Sequence, residues 1–190
     1  IREFRACFPN SEVSIFPGDT AELVQLVETG QVDIAVSLKM AKTEHLNFRP
    51  LFSDELACIF SPLSEPSHPE SVTPGDLNGE KLIVYSQRSL TTRLIEDHFR
   101  KSGIPLPGFL ELGNMEAIKE FAKIGVGVGI VAPWIARKED EEGSLLVRML
   151  GPTTIQRDWG VYSHASRDMS LMEENFTSLC EVVCQGFARP

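Results

Sequence analysis

Leu112–Pro133 reads LGNMEAIKEFAKIGVGVGIVAP, the one stretch in which turn chemistry, helix periodicity and strand signals follow one another without a gap. Asn114 can accept hydrogen bonds from the orphan amides that open a helix, and Ile118, Phe121, Ala122 and Ile124 recur at helical spacing behind it. Gly125 ends that helix. In Val126–Val131, Gly127 and Gly129 let another backbone or a ligand come close, while Val128, Ile130 and Val131 fill a core. Helix, glycine turn and buried strand make half of an α/β unit. The glycines do not form a nucleotide loop: the spacing is GxGxG rather than GxGxxG, and the strand follows the helix instead of preceding it.

Working outward, 190 residues with 42% hydrophobic content can bury a substantial core, as one domain or two small lobes. No apolar run reaches the roughly 18 residues of a membrane span. Ile1–Asn10 mixes Arg2, Glu3 and Arg5 with apolar residues, a helix pattern and not a signal peptide. The chain thus starts inside an element, and upstream sequence is expected. A net charge of −9 argues against this piece gripping DNA, which needs clustered Lys and Arg. Cys7, Cys58, Cys180 and Cys184 show no framework spacing and read as reduced thiols of a cytoplasmic protein. Cys180 and Cys184, one helical turn apart, could touch a soft metal, but Phe176, Leu179 and Val183 around them favour core packing. No metal site and no cofactor are expected.

Toward the amino terminus, Ile1, Phe4, Arg5 and Phe8 share one helical face, and Pro9 ends that helix. Glu12–Phe16 alternates like a strand, Pro17-Gly18 turns, and Asp19 with Glu22 opens a helix through Glu28 that Gly30 closes. Val32–Val36 is a short buried strand, so a parallel β-α-β crossover is expected here. Leu51–Phe60 reads as one extended stretch, and Leu63–Ser71 is the best linker candidate. Thr73 and Pro74 suggest a brief helix, Lys81–Tyr85 a strand, and Ser86–Ser89 the opening of a helix ended by Gly103. Phe109–Leu112 is a strand feeding the central unit.

Toward the carboxyl terminus, Trp134 and Ile135 begin a short helix, and Glu139–Glu142 reads as a solvated acidic turn. Ser144–Leu150 and Asp158–Ser163 are strands, and Leu171–Gln185 is the closing helix. Two extended crossings, near Leu56 and Val161, imply two α/β lobes, residues 1–57 with 161–190 and residues 58–160, with a ligand cleft between them.

No catalytic constellation is present: GxSxG, HExxH and CxxC are absent, and His45, His68, His98 and His164 stand apart. An enzyme is not expected. His98, beside Phe99, reads as a surface or a satisfied, partly buried histidine. Three strand ends instead carry polar groups: Ser37 after VDIAV, Ser86–Ser89 after LIVY, and Asn114 after FLEL. Open α/β sheets bind ligands at such carboxyl ends. Helices starting at Ser89 and Asn114 would aim amides and positive dipole ends at a small anion, and Arg88 could add a forked contact. The competing reading is plain helix capping.

The polar cap, the charged helix and GVGVGIVAP resemble the effector-binding domain of LysR-type transcriptional regulators, in the sulfur-metabolism branch as much as any. FRACFPNSEVSIFPGDTAELVQLVETGQVDIAV is similar to that family's first lobe, RPLFSDELACIFSPLSEP to its crossing strand, and VTPGDLNGEKLIVY to the start of its second lobe. The resemblance implies a two-lobed, periplasmic-binding-protein-like (type 2) α/β fold, a small-molecule effector in the cleft, which the polar strand ends suggest is anionic, and self-association through the Ile1–Phe8 helix as a homodimer or larger homo-oligomer. It puts effector contacts at Ser37, Ser86, Gln87, Arg88, Ser89, Asn114 and Met115. DNA binding would belong to a separate helix-turn-helix outside this chain, and no membrane partner is implied. The family's first strand would lie before Ile1, between the strands at Glu12–Phe16 and Val32–Val36, so the slot must be closed by those strands or filled from elsewhere. The alternative is a solute-binding protein of a transporter.

Overall fold

A computed structural model describes residues 1–64 and 71–187. In chain order the helices are α1 (Arg2–Cys7), α2 (Thr20–Glu28), α3 (Leu90–Lys101), α4 (Met115–Lys123), α5 (Arg137–Glu141) and α6 (Leu171–Cys184). The strands are β1 (Ile34–Leu38), β2 (Leu46–Glu55), β3 (Ala57–Phe60), β4 (Ser71–Val72), β5 (Leu82–Val84), β6 (Phe109–Glu111), β7 (Val128–Val131), β8 (Leu146–Leu150) and β9 (Gln156–His164). They divide into two compact units, Ile1–Asp54 with Arg157–Pro190, and Glu55–Gln156.

The first unit carries a sheet of order β1-β9-β2, with β1 antiparallel to β9 so that Ser37 faces Gly160. Helix α2 starts where Asp19 accepts hydrogen bonds from the amides of Ala21 and Glu22, and it buries Val24 and Val27 against Ala35, Leu46 and Tyr162. The Tyr162 hydroxyl accepts from the Met40 amide at 2.6 Å and donates to the Leu38 carbonyl at 3.1 Å. Asp54 receives a forked pair from Arg157, 2.8 and 2.6 Å, and the Trp159 indole at 3.1 Å; both charged residues are buried, so the fork satisfies groups that would otherwise be costly.

The strand expected at Glu12–Phe16 is not formed. Residues 11–19 are neither helix nor strand, with Ile15 72% and Phe16 55% exposed, so the crossover around α2 is absent too. The alternation is there, but a strand exists only through a neighbour's ladder, and the sheet order ends at β1. Closure of Glu12–Phe16 onto the β1 segment is therefore not how this edge is resolved.

The second unit holds a mixed sheet, β4-β8-β3-β7-β5-β6. Strand β3 is antiparallel to β7 and β8, while β5 is parallel to β6 and β7. The central glycines do as their positions require. Gly125, at φ +74°, ends α4 with its amide on the Ala122 carbonyl and the Val126 amide on the Phe121 carbonyl, a Schellman pair. At Gly127 a side chain would strike the Lys81 carbonyl, and at Gly129 a Cβ would sit 2.6 Å from Ile59 Cγ1. Val128 and Ile130 pack with Ile95 and Phe99 of α3, and Val131 packs with Ile118 and Ala122 of α4. Alternation along β7 thus feeds two cores.

Other local expectations shift. Leu51–Phe60 breaks at Leu56 into β2 and β3. Residues 74–79 are a run of turns rather than a helix, with Asp76 accepting from the Thr73 amide and hydroxyl. The linker expected at Leu63–Ser71 falls mostly on residues 65–70, outside the described residues. Glu139 is not solvated: it lies in α5, buried, with its carboxylate 2.8 Å from Lys119 Nζ of α4.

Candidate functional site

Parallel pairing of β5 and β6, with Val84 opposite Glu111, brings their carboxyl ends side by side. The Leu112 amide donates to the Val84 carbonyl at 3.1 Å and the Gly113 amide to the Tyr85 carbonyl at 2.8 Å, continuing the ladder beyond the strands. Gly113, at φ +62°, then turns the chain into α4, while Ser86–Ser89 turns the other strand into α3. Two helix starts therefore leave one end of the sheet.

Ser89 is buried and caps α3: its Oγ accepts from the Thr92 amide and donates to Thr92 Oγ1, both at 3.1 Å. Thr92 Oγ1 in turn donates to the Ser86 carbonyl at 2.6 Å. Ser86 Oγ accepts from the Arg88 amide at 3.3 Å, and the exposed Gln87 gives its amide to Glu111 Oε2 at 3.3 Å. Arg88 is exposed. Asn114, exposed, caps α4 through Oδ1, which accepts from Glu116 at 2.8 Å and Ala117 at 3.2 Å; Met115 is half-buried against the core under α4.

The structure thus gathers six of the seven expected residues, Ser86 to Ser89 with Asn114 and Met115, at one end of one sheet. Ser37 belongs to the other unit: it lies inside β1, not after it, and its buried Oγ donates to Thr20 Oγ1 at 3.0 Å. The expected supply of open amides is smaller than the helix starts alone suggest, because Ser89 and Asn114 already take three of them. What remains is a positive field of about half a charge at each helix start, the Arg88 guanidinium, and the Glu111 carboxylate beside them. Glu111 and Thr92 were not singled out from the sequence. Thr92, three residues after a serine cap, carried a local signal; Glu111 depended on pairing between strands.

Elsewhere, His98 is buried, and its Nε2 is not satisfied by any partner among the described residues. Burial, with Lys101 nearby, holds its pKa below the ordinary value. Burial alone would lower the Lys119 ammonium, but hydrogen bonds to Glu139 and Glu116 outweigh it and the net shift is upward; Lys119 in turn holds Glu139 below its ordinary value. Among the described residues, no group of three or more His, Cys, Asp or Glu is placed to hold a metal ion, and no helix is long and apolar enough to cross a membrane.

One family profile, described as LysR substrate binding domain, matches residues 1–184. Similar curated proteins include a probable RuBisCO transcriptional regulator of Trichormus variabilis, 28% identical over 193 residues, covering 98% of this chain and 56% of that protein. The HTH-type transcriptional regulator CbbR of Xanthobacter flavus is 25% identical over 159 residues, covering 82% and 47%. The chain spans about half the length of the curated relatives it matches. Among solved structures, the regulatory domain of MetR from N. meningitidis superposes with a TM-score of 0.84 at 21% identity, covering 97% of this chain and 86% of that one. The regulatory domain of Synechocystis CcmR in complex with 2-PG gives 0.83 at 21%, covering 96% and 88%. The effector binding domain of QuiR in complex with shikimate gives 0.78 at 16%, covering 97% and 88%.

Proposed function

The chain belongs to the LysR substrate-binding-domain family and has its periplasmic-binding-protein-like α/β fold, and from that premise we propose that it is the effector-sensing part of a cytoplasmic transcription regulator, binding a small anion through Ser86–Ser89, Asn114 and Met115. The observation that carries this reading is the parallel pairing of β5 with β6, which brings two polar strand ends and two helix starts together. Relatives bearing 2-PG and shikimate support a small-molecule effector. The family match favours a regulator over a transporter's solute-binding protein. The family is one of regulators, and we assign the chain no catalytic role. With a net charge of −9 it leaves DNA to a separate segment, and self-association through α1 and the residue before it, Ile1, which is 53% exposed, belongs to the same reading.

The test is a panel of small carboxylates and phosphates in a thermal-shift assay. At a hundred times its Kd an effector adds about 2.7 kcal/mol of stability. Arg88→Ala, at an exposed position, should keep the unliganded melting temperature and weaken the anion by roughly tenfold, about 1.4 kcal/mol. A panel in which nothing stabilises the chain, or in which Arg88→Ala and Ser86→Ala bind as the parent does, overturns the site.

A further inference from the structure

We propose that Glu111 reads a hydroxyl on the bound anion, so that the effector is a hydroxylated carboxylate or phosphate. The inference rests on the anion site argued above and gives that site a chemical class. Glu111 ends β6, beside the point where Ser86–Ser89 leaves β5. A carboxylate in that place opposes anion binding, because like charges brought together repel. Its one contact among the described residues is the Gln87 amide, which reaches Oε2 at 3.3 Å, longer than the ordinary contact of about 2.9 Å. A neutral glutamine oxygen can accept that amide as well, so fastening the turn does not call for a charge. Oε1 has no partner among the described residues, and the side chain is exposed.

Three other charged residues lie in these two turns and the helical turns that follow them. Glu116, in the first turn of α4, is held by Lys119 Nζ at 3.0 Å. Arg88 and Arg93 are exposed and make no ion pair among the described residues. With about half a positive charge at each helix start, the arginines outweigh Glu111, and the site stays net positive. That balance fits a whole anion better than a zwitterion, whose ammonium Arg88 would repel. What Glu111 adds is a demand for a neutral donor. A carboxylate only accepts hydrogen bonds, and a hydroxyl can donate to Oε1 without bringing charge. An anion that lacks the hydroxyl meets the repulsion with nothing to offset it, which is how such a site tells the two apart.

The experiment titrates the intact chain by calorimetry with anions matched in pairs: malate against succinate, lactate against propionate, and glycerol 3-phosphate against propyl phosphate. Alanine serves as the aminated counterpart of lactate. The hydroxylated member of the pair that binds should do so roughly tenfold more tightly than its deoxy partner, and alanine should bind more weakly than lactate. Glu111→Gln should bring that ratio to within about threefold by weakening the hydroxylated member alone, with the unliganded melting temperature kept. Arg88→Ala should weaken both members alike and leave the ratio in place. Equal affinities within a pair, a ratio that survives Glu111→Gln, or alanine binding more tightly than lactate overturns the inference and leaves the anion site standing. So does an equal loss of both members in Glu111→Gln, which would mark the residue as a fastening of the turn. Binding of none of these anions to the parent overturns the effector reading and this inference with it, so the two failures are told apart.

Discussion

The two units manage the edges of their sheets in opposite ways. In the second unit the outermost strands have two and three residues among the described ones, Ser71–Val72 and Phe109–Glu111, and these offer little unpaired backbone. In the first unit the outermost strands β1 and β2 have five and ten residues, and a segment with strand alternation, Glu12–Phe16, makes no ladder among the described residues and leaves Ile15 and Phe16 exposed. The second unit also buries two apolar clusters, one under α3 and one under α4, against a single smaller cluster in the first. Equal strand propensity therefore yields different outcomes, because a ladder, and not a pattern, makes a strand.

That contrast can be attacked first where the second unit is most committed. Lys119→Ala leaves Glu139 buried without its cation, and losing one partner of a buried pair costs about 3–5 kcal/mol, measurable by urea unfolding. The pH dependence adds a sign. Glu139 is held below its ordinary 4.5 by Lys119, so the stability it contributes is present above the unfolded value and is lost as pH falls through the depressed one. The parent should lose that contribution in acid, and Lys119→Ala should have little of it left to lose. An unchanged acid slope would mean that the pair does not carry the effect.

The next test sharpens the packing side. Gly129→Ala places a Cβ 2.6 Å from Ile59 and 3.0 Å from Ile118, and such overpacking costs about 1–3 kcal/mol. A neutral result would mean that β7 can move away from α4. The smallest effect belongs to the first unit: Ile15→Ser, at a 72% exposed position, should change stability by no more than about 0.5 kcal/mol. A loss comparable to that of Gly129→Ala would show that residues 11–19 are part of a packed layer after all, and the contrast between the units would fail.

Legibility in the sequence followed the range of the interaction. Asp19, Ser89 and Asn114 announced their helices correctly, since a cap and the amides it serves are two or three residues apart. Gly125, Gly127 and Gly129 were readable because a helix stop and a close backbone approach demand a missing side chain. Glu139 was misjudged because its partner Lys119 lies 20 residues away, and an acidic run gives no sign of which member turns inward. Glu12–Phe16 failed because its alternation says nothing of whether a neighbouring strand will pair with it. Within the candidate site, the serines and Asn114 stood out as strand-end residues, whereas the Glu111 contact to Gln87 depends on two strands lying parallel.

Strand β9 has a consequence for how the chain is made. In the first unit β1 and β2 are each joined to β9, and it is the middle of their sheet although it is last in sequence. The second unit, by contrast, is one uninterrupted run, Glu55–Gln156. During synthesis on the ribosome, at about 5–20 residues per second, β1 and β2 emerge early and must wait for their shared centre while everything between them and β9 is translated. The inserted unit can be finished before the described sheet β1-β9-β2 is complete. Vectorial synthesis therefore reverses the order of these two sheets: the inserted one can close first, and β1 and β2 spend that interval without the strand that joins them.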